Sequence, residues 1–160
     1  MKRIWTTVRR CSTSLEDDIQ RNATVFGKIL RNKHTVKIMY EDDKYLAFPN
    51  IKRYAPLACL IIPKRFISQD PLRLPSKHLE LIIEMKQIGH KIVQKENPSS
   101  FKNGDFWLKF HKPPYTSVEH LHLHVIAPVS QITKWDIIAR FCDKKMACDV
   151  DDVILKMRQV

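Results

Sequence analysis

Ser117-Val118-Glu119-His120-Leu121-His122-Leu123-His124-Val125 is the stretch on which the fold turns. Successive side chains of an extended strand point to opposite faces. His120, His122 and His124 therefore share one face, each about 7 Å from the next along the strand. Leu121, Leu123 and Val125 share the other face and anchor the segment in a core. Three imidazoles on one side of an apolar strand are costly unless they meet partners, because every ring carries nitrogens that need hydrogen bonds.

That pattern leaves three readings open. The rings could be structural, satisfied by neighbouring backbone. They could ligate a transition metal, as alternating histidines on a strand can, although no acidic residue stands at an evident ligand spacing nearby. They could also perform nucleophilic catalysis at phosphorus, one neutral imidazole attacking while its neighbours orient it and hold phosphate oxygens. The net charge, the lack of a glycine loop and Ser117 beside the histidines favour the third.

The chain has 160 residues, 44% hydrophobic and 28% charged, a composition that builds one core-forming domain. No apolar run approaches the ~20 residues that would cross a bilayer, so no membrane partner is expected. Three glycines, Gly27, Gly89 and Gly104, cannot assemble GxGxxG or GxxxxGK, so a phosphate must be held by side chains and ordinary backbone. The formal charge of +11 favours anionic partners: nucleotides, with nucleic acid as a second possibility. The cysteines Cys11, Cys59, Cys142 and Cys148 form no CxxC pair, and no disulfide framework, structural metal or cofactor is expected. Cys59 lies in an apolar run and reads as a buried thiol.

The first fourteen residues, MKRIWTTVRRCSTS, are basic, hydroxyl-rich and free of acid. They read as a basic arm ahead of a helix capped by Ser14, and a cytoplasmic or nuclear location is expected; the alternative is mitochondrial, because the arm's composition also fits a transit segment. Residues 26–33 predict a short helix. Residues 35–41 and 45–48 predict a hairpin around the turn EDDK, and 58–63 a central strand. A long helix is expected from about Ser76 to Glu96, with a buried stripe of Leu81, Met85, Ile88 and Ile92 and a stop at Asn97-Pro98. Strands follow at 105–111 and 120–127, then amphipathic segments at 135–141 and 150–157. The expectation is an α+β fold: an antiparallel sheet with one long helix and short terminal helices. Its boundaries are expected as 1–22 for the arm and helix start, 23–130 for the domain, and 131–160 for a C-terminal helical extension packed on it.

His120-Leu121-His122-Leu123-His124-Val125-Ile126 resembles the H-x-H-x-H signature of the histidine triad superfamily. FGKILR at 26–31, YEDDKYLAF at 40–48, LIIPKRFIS at 60–68 and FHKPPYTSVEHLHLHVIAPV at 110–129 resemble its Hint branch, in order and at similar spacing. The resemblance covers about residues 24–130. It implies hydrolysis of purine nucleoside phosphoramidates, such as adenosine phosphoramidate or adenylyl-lysine, through a nucleotidyl-histidine. His122 would be the nucleophile, His124 would contact phosphate oxygens, His120 would hold the triad in the right tautomers, and Ser117 would donate to the phosphate or leaving group. Phe26, Ile29, Phe48 and Ile51 would build the purine pocket. A homo-oligomer is implied by the same resemblance.

The chain departs from that pattern at three places. The acidic residue that receives the ribose hydroxyls is matched by Asn50, which lacks charge-assisted strength, so weaker ribose binding is expected. A further histidine of the family is matched by Ala58, and the glycine near the serine is absent. His111 could take over a phosphate contact, or be a surface residue at a strand end. Two rivals remain: an aprataxin-like removal of AMP from nucleic-acid ends, which lacks support from any zinc-finger spacing after residue 130, and a nucleotide-binding or scaffold protein of decayed activity, motivated by Asn50 and Ala58.

Overall fold

A computed structural model describes residues 14–68 and 70–159. The basic arm, apart from Ser14, lies outside the described residues. Ser14 caps α1 (Leu15–Arg21) in a reciprocal capping box with Asp17. Thr24 caps α2 (Val25–Arg31) by accepting from the Gly27 N–H.

A six-stranded antiparallel sheet follows: β1 (Tyr40–Glu41), β2 (Tyr45–Pro49), β3 (Leu57–Pro63), β4 (Trp107–His111), β5 (Leu123–Ala127) and β6 (Ala147–Asp149), in the order β1-β2-β3-β5-β4-β6. The long helix α3 (Leu79–Glu96) packs on β3 and β5; α4 (Pro98–Asn103), α5 (Trp135–Cys142) and α6 (Val150–Arg158) complete the chain. The architecture is α+β.

Strand alternation assigns the two faces. Tyr45, Ala47, Cys59, Ile61, Leu108, Phe110, Leu123 and Val125 point into the core beneath α3 and α6. Leu46, Phe48, Leu60 and Ile62 point the other way and close a second cluster with Phe26 and Leu30 of α2. A third cluster joins Ile126 to Ile137 and Phe141 of α5. His124 stands on the same side as these two smaller clusters, opposite α3, paired across the ladder with Leu60 and Lys109.

Two strands are shorter than the alternation predicts, and a proline accounts for each. The 35–41 strand contracts to Tyr40–Glu41, with a 3-10 turn at Lys33–Thr35. Carrying its register two residues back would set Ile38 against Pro49, which has no N–H for the ladder. The strand expected at 120–127 begins only at Leu123. Its register with β3 would set Leu121 against Pro63, so the ladder stops there, and the Leu121 N–H donates instead to the Ile67 carbonyl at 2.7 Å.

The long helix starts three residues late, after a 3-10 turn at Ser76–His78. Its buried stripe is Ile82, Met85, Ile88, Gly89, Ile92 and Val93, with Leu81 only partly buried. Asn97-Pro98 both ends this helix and starts the next: Asn97 Oδ1 accepts from the Ser100 N–H at 3.0 Å, with Pro98 in the first turn of α4. The segment after residue 131, expected as a helical extension, also contributes a strand. β6 pairs with β4 through Lys109↔Asp149, Phe110↔Cys148 and His111↔Ala147 and so covers the outer edge of β4.

Candidate active site

His120 and His122 lie just ahead of β5 and His124 lies within it. All three are buried, at 2%, 6% and 5% exposure. The expected common face holds: Phe26 meets the rings of His120 and His122 edge-on at 5.8 and 5.2 Å, and the His122 and His124 centroids are 5.0 Å apart.

Hydrogen bonds fix two of the tautomers. His120 Nε2 is 2.9 Å from the Pro63 carbonyl oxygen. A carbonyl only accepts, so Nε2 carries the proton and Nδ1 is the acceptor. That acceptor is met by Asn22 Nδ2–H at 2.9 Å. Asn22 is itself oriented, because its Oδ1 accepts from the Thr24 N–H at 3.0 Å and from the Thr24 hydroxyl at 2.7 Å. In turn, His122 Nδ1–H donates to the His120 carbonyl oxygen at 2.7 Å. Its Nε2 therefore carries the lone pair, on a ring that lines a cavity of about 260 Å³.

That cavity is built from both ends of the chain. Phe26, Ile29 and Phe48 form an apolar end, and His111, His124 and Ser117 line it together with His122. Asn50 and Ile51, on the loop after β2, also line it, although Ile51 is 95% exposed and contributes only at the mouth. Asn50 Oδ1 accepts from the Lys52 N–H at 3.1 Å. Ser117 is exposed.

His111 is not the surface residue that a strand end suggested. It is half-buried, its ring 4.5 Å from that of His124 and stacked on Phe141 at 4.6 Å. Both ring nitrogens of His124 and Nε2 of His111 are buried without a hydrogen-bond partner among the described residues. Such orphaned groups cost about 1–3 kcal/mol each, and a bound phosphate oxygen would accept from those that carry hydrogen. Among the described residues, no group of three His, Cys, Asp or Glu side chains converges to hold a metal ion.

Burial disfavours the charged form of all four imidazoles. It pushes His120 down to about 4, with the Pro63 bond opposing and His122 adding a little. It pushes His111 to about 4, helped by His122, Arg140 and Lys52. Burial also lowers His122, against the raising effect of the His120 carbonyl, and sets His124 well below its ordinary value. A neutral ring keeps its lone pair, which a nucleophile requires.

The same shifts couple stability to acid. Above pH 6.5 these rings are neutral whether the chain is folded or not, so their burial costs nothing in protonation. As pH falls from 6.5 towards 4 the unfolded chain takes up protons that the folded one refuses, each such ring adding a slope of about 1.4 kcal/mol per pH unit. The lowered carboxylates, such as Glu41 and Glu84, act only below 4.5. Urea midpoints should therefore drop clearly between pH 7 and pH 5; a flat profile there contradicts the buried neutral triad.

Asn22 and Phe141 were not singled out in the sequence. Asn22-Ala23-Thr24 carries a local helix-entry signal, but nothing in it points 98 residues ahead to His120. Phe141 belongs to the amphipathic 135–142 segment, whose partner the periodicity does not reveal.

Comparison with known proteins agrees with this geometry. Residues 23–137 match the DcpS_C family model, described as the scavenger mRNA decapping enzyme C-terminal binding domain. The bifunctional adenosine 5'-phosphosulfate phosphorylase/adenylylsulfatase HINT4 of Arabidopsis thaliana is 34% identical over 117 residues, covering 72% of this chain and 77% of the relative. The adenosine 5'-monophosphoramidase HINT3 of Danio rerio is 40% identical over 101 residues, 63% of this chain, and the match spans 61% of that relative's length. A HIT family hydrolase from Legionella pneumophila superposes with a TM-score of 0.57 at 28% identity, covering 64% of this chain and 89% of the other. With its triad on one face of β5 and its lead-in, and with the match running from α2 into α5, the chain belongs to the histidine triad family, on its Hint branch.

Proposed function

We propose that the chain is a nucleotide hydrolase that cleaves the P–N bond of purine nucleoside 5'-phosphoramidates through a nucleotidyl-histidine at His122. One observation carries the reading: the bond from His122 Nδ1–H to the His120 carbonyl, which leaves the Nε2 lone pair on a ring that lines the cavity. Relatives named as adenosine 5'-monophosphoramidases support the substrate class.

In the first step the Nε2 lone pair forms a bond to phosphorus as the P–N bond breaks. The electron pair leaves with the amine nitrogen, which takes up a proton from water relayed by the Ser117 hydroxyl. Nitrogen-bound hydrogens of His124 and His111 donate to the non-bridging oxygens, meeting the charge that builds there. In the second step water attacks phosphorus, the P–Nε2 bond breaks, its electron pair returns to the ring, and the attacking water gives up a proton that replaces the one carried off by the amine. The product is the 5'-monophosphate. Phe26, Ile29 and Phe48 hold the purine.

The test is turnover of a fluorogenic adenosine 5'-phosphoramidate by the purified chain, with and without a strong chelator. Release that the chelator does not change is the expected result. Chelator-sensitive release would favour a metal reaction, and no release would favour a binding protein.

A further inference from the structure

A second cavity of about 350 Å³ opens beside the first, and Lys52, Tyr54 and Arg140 line both. Arg53 and Lys134 line only the second, with Asp136 as its one carboxylate. Its wall therefore carries four cations against one anion. The described residues include eight ion pairs, and none uses Lys52, Arg53, Lys134 or Arg140. The Tyr54 hydroxyl likewise makes no hydrogen bond among the described residues, although burial raises its pKa.

Asn50 stands on the loop that leads to this cavity, and its orientation selects what it can bind. One lone pair of its Oδ1 is taken by the Lys52 N–H, and its Nδ2 amide, which only donates, has no partner among the described residues. A donor there can meet a ribose hydroxyl only at its oxygen and offers nothing to its hydrogen. It is well matched to an anionic oxygen, and the cations beyond it have the same preference.

Accepting the proposed placement of base and phosphorus, on which this step rests, two ends of the nucleotide are accounted for: the base among Phe26, Ile29 and Phe48, and the 5'-phosphoryl group at His122 and His124. The ribose edge remains. We infer that the cavity walled by Lys52, Arg53, Lys134 and Arg140, entered past the Asn50 amide, receives a phosphate carried on the ribose, so that the preferred ligand is a nucleotide phosphorylated at its 2' or 3' position as well as at 5'. Lys52 and Arg140 also depress His111, and Lys52 depresses His124, which sets their charges within electrostatic reach of the 5'-phosphoryl end.

The test is direct binding to the full chain of AMP, ADP, adenosine 2',5'-bisphosphate and adenosine 3',5'-bisphosphate. At low salt one of the two bisphosphates should bind on the order of tenfold tighter than AMP, the equivalent of about 1.4 kcal/mol shared among contacts to exposed cations. That advantage should shrink as salt is raised. In Arg53→Gln/Lys134→Gln the ratio of bisphosphate to AMP affinity should fall to within about twofold. Equal affinity for AMP and both bisphosphates overturns the inference, as does an advantage that survives in the double variant. A gain for ADP alone overturns it too, by assigning the cations to the leaving group. Phosphoramidate turnover is read separately: a chain that prefers a bisphosphate and releases no amine keeps this subsite and loses the proposed reaction.

Discussion

His122→Ala should lower turnover of an adenosine 5'-phosphoramidate by at least about 10,000-fold, the scale on which removal of an attacking nucleophile acts. The basis is positional. Among the four clustered imidazoles, His120 has both nitrogens committed, one to Pro63 and one to Asn22. His124 and His111 have orphaned, buried nitrogens suited to holding oxygens. Only His122 combines a tautomer fixed from behind with an uncommitted nitrogen. Nucleotide binding should persist in the variant, because the apolar end of the cavity and His124 remain, so the loss should appear in kcat with little change in KM. Measured steady-state kinetics that leave kcat within tenfold of the parent would remove His122 from the chemistry.

Asn22→Ala should cost about 3 kcal/mol of stability and about tenfold in kcat. The side chain is buried and makes three hydrogen bonds, two to Thr24 and one to His120. Truncation strips the entry to α2 of its anchor and leaves His120 Nδ1 buried and unpaired, and an unmet group of that kind is costlier than the bond itself was worth. Gly27 shows how tightly the corner is closed: a Cβ there would stand 2.0 Å from the Asn22 carbonyl oxygen. The kinetic loss comes through positioning. An unpaired His120 can turn or switch tautomer, and its carbonyl is what fixes the His122 proton. Denaturant titration reads the first effect. For the second, the pH dependence of kcat should change in Asn22→Ala and also in Asn22→Asp, whose carboxylate can keep the Thr24 bonds but has no hydrogen to donate to His120 Nδ1; a variant with a fallen midpoint and an unaltered pH profile would make Asn22 structural only.

Much of the fold was legible because strand alternation and the helical stripe are local patterns. Period two across 117–125 set three histidines on one face and Leu121, Leu123 and Val125 in the core, as found. The errors have local causes of another kind. Pro49 and Pro63 look harmless on their own strands, and they shorten the neighbours whose ladders need their missing N–H groups. Asn97-Pro98 reads equally as an end and as a beginning, and the structure uses it as both. β6 is three residues long and takes its edge position from β4, forty residues earlier, a pairing no window over 147–149 contains. The site divides the same way. The triad, Ser117 and the cavity wall came from motif and resemblance. Asn22 and Phe141 act through contacts across 98 residues and between α5 and the sheet, where sequence spacing is silent.

Rapid quenching of the enzyme with adenosine 5'-phosphoramidate during turnover, followed by peptide mapping under alkaline conditions that preserve phosphorus–imidazole bonds, tests the central claim most directly. One adenylyl group on the His122 imidazole, absent from His122→Ala, is the result this account predicts. Full turnover with unmodified histidines throughout, or an adenylyl group on His120 or His124 instead, would contradict it.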